Sequence, residues 1–584
     1  MKNLFKNLNM RKIVSLLFFV GVSVLCFSQN RELNIEKANT TLNERGEVYF
    51  KFKIDNRQQI NILTRIISID NVKENLVFAY ANKKQFQVFL GFNIDFETLT
   101  PPSLLNQIST EKNEKSGENW DFYPTYEEYV NLMNFYANDF SSHCKLEKIG
   151  ESVEGRDILV MKISDNVDEK EAEPEFFYTS TMHGDETTGF VLMLRLISYL
   201  AMEYQNNETV TNLVDNLEIW INPLSNPDGT YFAGNNTVAG ATRFNSNYVD
   251  LNRNYPDPED GQHPDGNSLQ KENQVMINFM KQHNFVLSAN LHTGTEVINY
   301  PWDTWQQFHA DDDWYYNISR EYADTVHANI PAGLYTGYLS DFNNGITNGF
   351  QWYSISGGRQ DYMNYFLNSR EVTMELSLIK SPTENDLPFF WDANYRSLLN
   401  YMEQAIYGIR GIVVDSISKE AIKPKIEIFS HDFDNSFVFG SAENGNYHRL
   451  IAEGTYDLSI NADNHYPKFF TDVQVFNRQA TILDAELVPW PAHSDLSEYE
   501  NIRVKCFPNP VQNISKIYIS SPISRSFKIE ILDIFGRKMM EILNKKYSEG
   551  NNTIDLNFRN LTEGVYFVKI ISEDLVIEKT LVKL

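Results

Sequence analysis

Hydrophobic and polar positions follow different periods in successive stretches of the 584 residues. Over 30–100 they alternate in EVYFKFKID, NILTRIISID and KQFQVFLGF, which predicts a small strand-rich unit. DFETLTPPSLLNQISTEKNEKSGEN then loses periodicity and gains proline and charge, so it reads as a linker. Unit and linker together occupy 29–118. Between 119 and 408 the pattern becomes that of an α/β core. FFYTS predicts a buried strand, followed by a loop with His183 and Glu186 and a helix starting near Thr188. That helix, GFVLMLRLISYLAM, is interrupted by Arg195 and reads as a buried core element rather than a membrane span. A second helix is expected at about 268–283. FVLSANLHTG predicts another strand, ending on His292, and REVTMELS a third with Glu375 at its centre. From Ile409 short strands separated by turn residues (IRGIVVDS, KPKIEIFS, GNYHRLIAEGTYDLSINA, TDVQVFN) predict an all-β sandwich over 409–488. A linker at 489–502 contains PWPAHSDLSEYE. Residues 503–584 then alternate again, in ILDIFGRKM, LTEGVYFVKI and EKTLVKL, which predicts a second all-β sandwich.

The first 28 residues combine Lys2, Lys6, Arg11 and Lys12 with the apolar run IVSLLFFVGVSVLCF, the pattern of a secretory signal cleaved after Ser28. Bulky Leu25 before Cys26 argues against lipidation. No other stretch is a credible membrane span. Removing the signal takes four positive charges and no negative ones, so the formal charge moves from −27 to −31. Such acidity disfavours nucleic acid as a partner and would draw in cationic peptides. Cys144 and Cys506 then remain, in different predicted domains, which argues against a disulfide framework and leaves stability to the apolar core.

Polar residues in the α/β stretch supply candidate chemistry. Two histidines and a carboxylate form an established zinc ligand set with a fourth position left for water. Ligand sites in open α/β sheets collect beyond the carboxyl ends of strands, where His183, Glu186 and His292 are expected. Alone, an H-x-x-E is weak in a chain with 11 histidines. The loop RFNSNYVDLNRNYPD adds Arg243, Asp250, Asn252 and Arg253, and a guanidinium beside an amide is the usual holder of a planar carboxylate. GITNGFQWYSISGGRQDYMNY carries Tyr353 in a glycine-rich loop. Glu375 lies between Met374 and Leu376, where a carboxylate is costly unless it is paired or working.

These blocks, MHGDETTG, RFNSNYVDLNRNYPD, SANLHTGTEVINYPWD and WYSISGGRQDYMNY with EVTMELS, resemble the zinc metallocarboxypeptidases of the regulatory branch typified by carboxypeptidases N, E and D. The resemblance covers roughly 119–408. It implies an α/β, mixed-sheet catalytic domain with one zinc ion held by His183, Glu186 and His292, and Asp250 orienting a ligand histidine. It also implies Glu375 as general base, Arg243 polarising the scissile carbonyl, and Asn252, Arg253 and Tyr353 holding the substrate's terminal carboxylate. In that branch an aspartate and a glutamine line a pocket for C-terminal Lys or Arg, and Asp303 and Gln360 fall at those places. Asp303, before Thr304, is equally placed to cap a turn. Two neighbours depart from the pattern: Thr293 stands where the branch usually has glycine, and Arg359 adjoins Gln360.

Residues 409–488 resemble the transthyretin-like domain that follows the catalytic domain in that branch. FPNP, LTEGVY and a basic last strand in 503–584 resemble the C-terminal sorting domain of type IX secretion, which implies that machinery as a partner and a secreted or cell-surface location. A generic adhesion sandwich is the alternative for this last domain. For 29–118 a prosegment covering the active site and a plain accessory module both remain open. Three functional classes follow: a carboxypeptidase acting on peptide or protein C-termini, a related amidase or deacylase on the same scaffold, and a binding protein with a retired site. Intact Asn252, Arg253 and Tyr353 favour the first.

Overall fold

The computed structural model describes residues 31–106, 108, 120–330, 337–489, 502–521, 523–572 and 575–584. The expected secretory signal lies outside the described residues, as do 109–119 and 490–501 of the linkers. The chain divides into one unit up to Pro489 and a second from Trp490.

The first unit begins with a helix over 31–45 and an antiparallel sheet of β1 (Glu47–Lys53), β2 (Ser68–Lys73), β3 (Leu76–Asn82) and β4 (Phe96–Leu99) in the order β2-β3-β1-β4. Two stretches expected as strands are otherwise. KQFQVFLGF forms a helix over Lys83–Leu90, and NILTRIISID closes the helix Gln58–Leu63 before β2 starts. At Asn82 a capping box explains the first difference: its side chain accepts from the Gln85 N–H while the Gln85 side chain accepts from the Asn82 N–H. Phe86 and Phe89, three apart on the helix, then bury against Phe50, Phe52 and Phe96. Both packing partners outweigh the alternation, so the strand-rich unit is a mixed α/β layer.

The next stretch builds an eight-stranded mixed sheet from β5 (Cys144–Glu151), β6 (Asp157–Ile163), β7 (Glu175–Ser180), β8 (Glu218–Asn222), β9 (Phe285–His292), β10 (Glu296–Tyr300), β11 (Ile346–Asn348) and β12 (Arg370–Leu376). Its order is β11-β10-β12-β9-β7-β8-β6-β5, with β12, β9, β7 and β8 parallel. Strands covered on both faces lose alternation and become continuously apolar, and β7 and β9 are buried at every residue. One face packs the helices Tyr126–Asp139, Thr188–Glu203, Asp312–Asn329 and Leu387–Glu403. The other packs Lys271–Gln282 and Arg359–Phe366 around Phe177, Trp220 and Phe279. Cys144 is buried and free, as Cys506 is free in the second unit. No helix among the described residues is long and apolar enough to cross a membrane.

From Gly408 to Leu487 two four-stranded sheets enclose a separate apolar core. Asp311 ties this piece to the catalytic layer: Arg449 contacts both of its oxygens at 2.9 Å, His431 Nε2 lies at 2.8 Å and Arg370, the first residue of β12, at 2.7 Å. Burial opposes ionisation there, yet the two arginines hold the Asp311 carboxyl well below the usual range. The second unit is all-β, a three-stranded and a four-stranded sheet closing on Ile517, Phe527, Ile529, Val568 and Leu581. Its LTEGVY motif has a physical reason: the Tyr566 hydroxyl donates to the Thr562 carbonyl at 2.8 Å. Removing one partner of a buried ion pair leaves the others uncompensated. Asp311→Ala is therefore expected to destabilise the first unit by about 3–5 kcal/mol, read as a lower urea midpoint; an unchanged midpoint would contradict the role given to this carboxylate.

Candidate metal centre and substrate cleft

Parallel pairing of β7, β9 and β12 brings three distant stretches together at the carboxyl ends of these central strands. His183 and Glu186 lie in the turn after β7, His292 is the last residue of β9, and Glu375 on β12 pairs in register with His292. His183 Nδ1 stands 2.9 Å from Glu186 Oε1, His292 Nδ1 2.8 Å from Glu186 Oε2, and the two imidazole nitrogens 3.1 Å from each other. All three side chains are buried. Two imidazole nitrogens this close cannot both carry a proton, whereas a shared cation suits them. Zinc ligands at about 2.0–2.1 Å in a tetrahedron stand about 3.3 Å apart, so the spacing and the donor set fit zinc.

Surrounding groups orient these ligands and set their charge. Asp250 Oδ1 lies 3.0 Å from His183 Nε2, and Asn290 Nδ2 lies 2.7 Å from His292 Nε2. Burial and Arg243 oppose protonation of His183, but Glu186 and Asp250 outweigh them and raise its pKa. Burial pulls that of His292 down to about 4. Against burial, His183, Lys380 and His292 hold the Glu186 carboxyl well below its ordinary value. Glu375 behaves oppositely: burial and the nearby Glu186 charge push it well up, and its Oε2 has no hydrogen-bond partner.

Each residue singled out in the sequence lines or adjoins this cleft. Arg243 reaches Glu186 Oε1 at 3.1 Å and Asp250 Oδ2 at 3.2 Å. The Asp250 side chain also accepts from the Asn252 N–H, shaping the short turn Leu251–Arg253. Arg253 and Tyr353 both point into the cleft and donate to the Ile69 carbonyl, at 2.8 and 3.3 Å. Asp303 lies buried on the same cavity wall as the metal-centre residues. Its Oδ1 accepts from Gln360 Nε2 at 3.1 Å and Asn299 Nδ2 at 2.9 Å. Gly349 makes this possible, since a Cβ there would stand 1.8 Å from that oxygen. Burial raises the Asp303 pKa to about 6. The Asp303 and Thr304 amides donate to Asp361.

The two departures have local explanations. Thr293 donates its N–H to Glu186 Oε2 at 3.1 Å and its hydroxyl to the Lys380 carbonyl. Arg359 turns away from the cleft to pair with Glu371 at 2.9 Å and pack on Phe177, so it presents no cation to the pocket. Three further charged residues converge that sequence reasoning missed. Lys380 Nζ lies 2.6 Å from Glu186 Oε1 and 2.8 Å from Asp70 Oδ1, Asp70 also meets Arg243 at 3.2 Å, and Asp185 accepts from the Tyr80 hydroxyl at 2.9 Å. Asp185 sits inside the MHGDE block itself, but Lys380 and Asp70 have no motif around them.

The family profile described as zinc carboxypeptidase matches residues 129–397, and the one described as secretion system C-terminal sorting domain matches 505–583. Carboxypeptidase M of Mus musculus is 34% identical over 352 residues, covering 57% of this chain and 76% of that protein. The catalytic chain of carboxypeptidase N of Homo sapiens is 33% identical over 396 residues, covering 62% of this chain and 85% of that protein. Carboxypeptidase D of Homo sapiens is 37% identical over 348 residues, 58% of this chain but only 25% of the longer protein. With a mixed sheet that gathers two histidines and a glutamate at the carboxyl ends of its central strands, this chain belongs to the zinc carboxypeptidase family and carries a sorting domain for export to the cell surface or medium.

Groups that orient metal ligands typically govern affinity by 10–100-fold. Asp250→Asn is accordingly expected to weaken zinc binding by about 10–100-fold, measured by competition with a chromogenic chelator. Unchanged affinity would show that His183 needs no such support.

Proposed function

We propose that this chain is a secreted zinc carboxypeptidase that removes C-terminal Lys or Arg from peptides and proteins and reaches the outside through the type IX secretion machinery. The observation that carries the specificity is the buried carboxylate of Asp303, held by Gln360 and Asn299 within the cavity that also contains His183, Glu186 and His292. A buried anion with polar neighbours and, among the described residues, no Lys or Arg in direct contact suits a guanidinium or ammonium arriving with the substrate. Export rests on the sorting domain together with the expected signal at 1–28; the sandwich at 409–488 takes the structural part of a transthyretin-like domain.

His183, Glu186 and His292 would hold one zinc ion, which supplies a Lewis acid for the scissile carbonyl and brings water into reach of deprotonation near neutral pH. Asn252, Arg253 and Tyr353 hold the terminal carboxylate by charge-assisted hydrogen bonds and thereby fix which peptide bond meets the reacting groups. Glu375 takes a proton from the attacking water and passes it to the departing amine. Arg243 offsets the negative charge that develops on the carbonyl oxygen.

Three measurements on purified protein test this reading. Peptides ending in Arg or Lys should be cleaved faster than those ending in Leu or Phe, and Asp303→Ala should remove the difference; equal rates from the unaltered protein would exclude the basic pocket. The preference also needs Asp303 ionised, and its pKa is raised to about 6. Discrimination between Arg-ended and Leu-ended peptides should therefore be full above that pH and fade as the pH falls through it. A ratio flat from pH 8 to 5 would contradict the assignment. Glu375→Gln should keep its zinc while turnover drops by about 10²–10⁴-fold, and near-normal turnover would mean that another group is the base.

A further inference from the structure

Where the sandwich beyond Gly408 meets the amino end of β7, a cavity of about 340 Å³ remains between Glu173 and Asn216 of the catalytic layer and one face of the sandwich. Its size falls within the roughly 300–1,000 Å³ usual for small-molecule sites. Register explains the sandwich wall. Alternate residues of a strand leave opposite faces of the sheet, and Ile409, Val413 and Tyr447 fill the sandwich core. The intervening residues of strands Gly408–Asp415, Asn446–Arg449 and Ala480–Ile482 line the cavity: Arg410 stands opposite His448 and Ile482, and Ile412 opposite Asn446. Asp484 joins them just past the last strand. This place is separate from the metal centre. Pro174, on its rim, precedes the first residue of β7, whereas His183 follows the last, a strand length of about 20 Å away.

The wall carries charge and hydrogen-bonding capacity that the protein itself does not use. Arg410 has no carboxylate within ion-pair reach among the described residues, and Asp484 accepts from the Ile412 N–H at 2.8 Å without closing on that guanidinium. His448 and Asn446 are 5% and 6% exposed, yet His448 Nδ1 and Asn446 Oδ1 have no hydrogen-bond partner. Buried polar atoms are paired in the great majority of cases, so two adjacent ones left open call for a reason. At the Asp311 anchor between the same two layers, by contrast, both carboxylate oxygens meet arginines. The Asn446 amide donates to the Glu173 carbonyl at 3.2 Å and lies 3.3 Å from His448 Nε2. With the amide donating, Nε2 accepts and Nδ1 carries the ring proton as an unused donor. Burial and the Arg410 charge pull the His448 pKa down to about 3, so the ring is neutral. Burial and nearby carboxylates push Glu173 up to about 8, so it adds little negative charge at neutral pH. Ile412 and Ile482, 42% and 58% exposed, supply apolar surface beside these groups. We propose that the cavity binds a free amino acid with an apolar side chain, its carboxylate held by Arg410 and His448, its ammonium by Asp484 and Asn446, and its side chain over the two isoleucines. An arginine and an aspartate that share a wall without pairing leave room for a molecule bearing the complementary pair of charges. A simple anion would leave the acceptors and the isoleucines unused.

The test is calorimetric titration of the full chain with L-leucine. Saturable binding is expected, with 3-methylbutylamine, which lacks the carboxylate, and 4-methylpentanoate, which lacks the amino group, each weaker by about tenfold or more. Arg410 makes no internal ion pair, so Arg410→Gln should keep the thermal midpoint while weakening leucine by about 10–100-fold. Asp484→Asn, at an exposed position, should weaken leucine yet leave 4-methylpentanoate unchanged, a difference that a merely structural role would not produce. Arg253→Gln, in the catalytic cleft, should leave leucine binding intact. Binding lost in Arg253→Gln and kept in Arg410→Gln would place leucine in that cleft and overturn the inference. Equal affinity for leucine and 4-methylpentanoate would overturn the amino-acid assignment, and absence of leucine binding at millimolar concentration would leave the cavity to water and overturn the site itself.

Discussion

Glu186 is a buried carboxylate, and most of what surrounds it follows from the need to keep it charged. An isolated anion in such a place would protonate or unfold its neighbourhood. Here His183, His292, Arg243, Lys380 and the Thr293 N–H all converge on its two oxygens. They arrive from four stretches, around 183, 243, 292–293 and 380, so the parallel pairing of β7, β9 and β12 and the turn after Asp250 must be correct together. Burial and the Glu186 charge lift Glu375, two strands away on β12, and give the cleft two carboxylates of opposite tendency. Environments that push neighbouring acids apart separate ligand from base.

The wall around Asp303 is built by different means. Asp303 has no arginine or lysine bonded to it; amide groups of Asn299 and Gln360 support it, and Asp361 closes the backbone beneath. Gly349 supplies the space, and burial of Arg359 behind Glu371 removes the competing cation that the sequence places beside Gln360. A neighbour along the chain need not be a neighbour in space: helix Arg359–Phe366 begins there, so Arg359 and Gln360 leave the backbone in different directions.

Much of the site was legible because its residue types stand in separated, motif-rich blocks, and the strands that carry His292 and Glu375 interleave apolar residues with a few buried polar ones. Helix Lys271–Gln282, the sandwich strands and the sorting domain were legible for a similar reason, since their periods and turn residues agree with their tertiary partners. The N-terminal unit was not. In KQFQVFLGF a two-residue period and a helical one coexist over nine positions, and only the cap at Asn82 and the phenylalanine cluster decide between them. Asp70 and Lys380 escaped notice because an aspartate in a polar strand and a lysine after a strand are ordinary. Their meaning comes from a one-residue slip in register and from a docking that sequence spacing does not encode.

β12 carries two charged anchors five positions apart. Arg370 at its start is clamped with Arg449 on Asp311, and Glu375 near its end faces the metal centre. The sandwich beyond Gly408 is thus fastened to the very strand that carries Glu375. A chain ending at Ile406 would keep every residue of the cleft yet lose Arg449 and His431, leaving Asp311 with Arg370 and His309 and the strand less firmly held at its root. Loss of this appended domain would then surface as slower chemistry before it surfaced as unfolding.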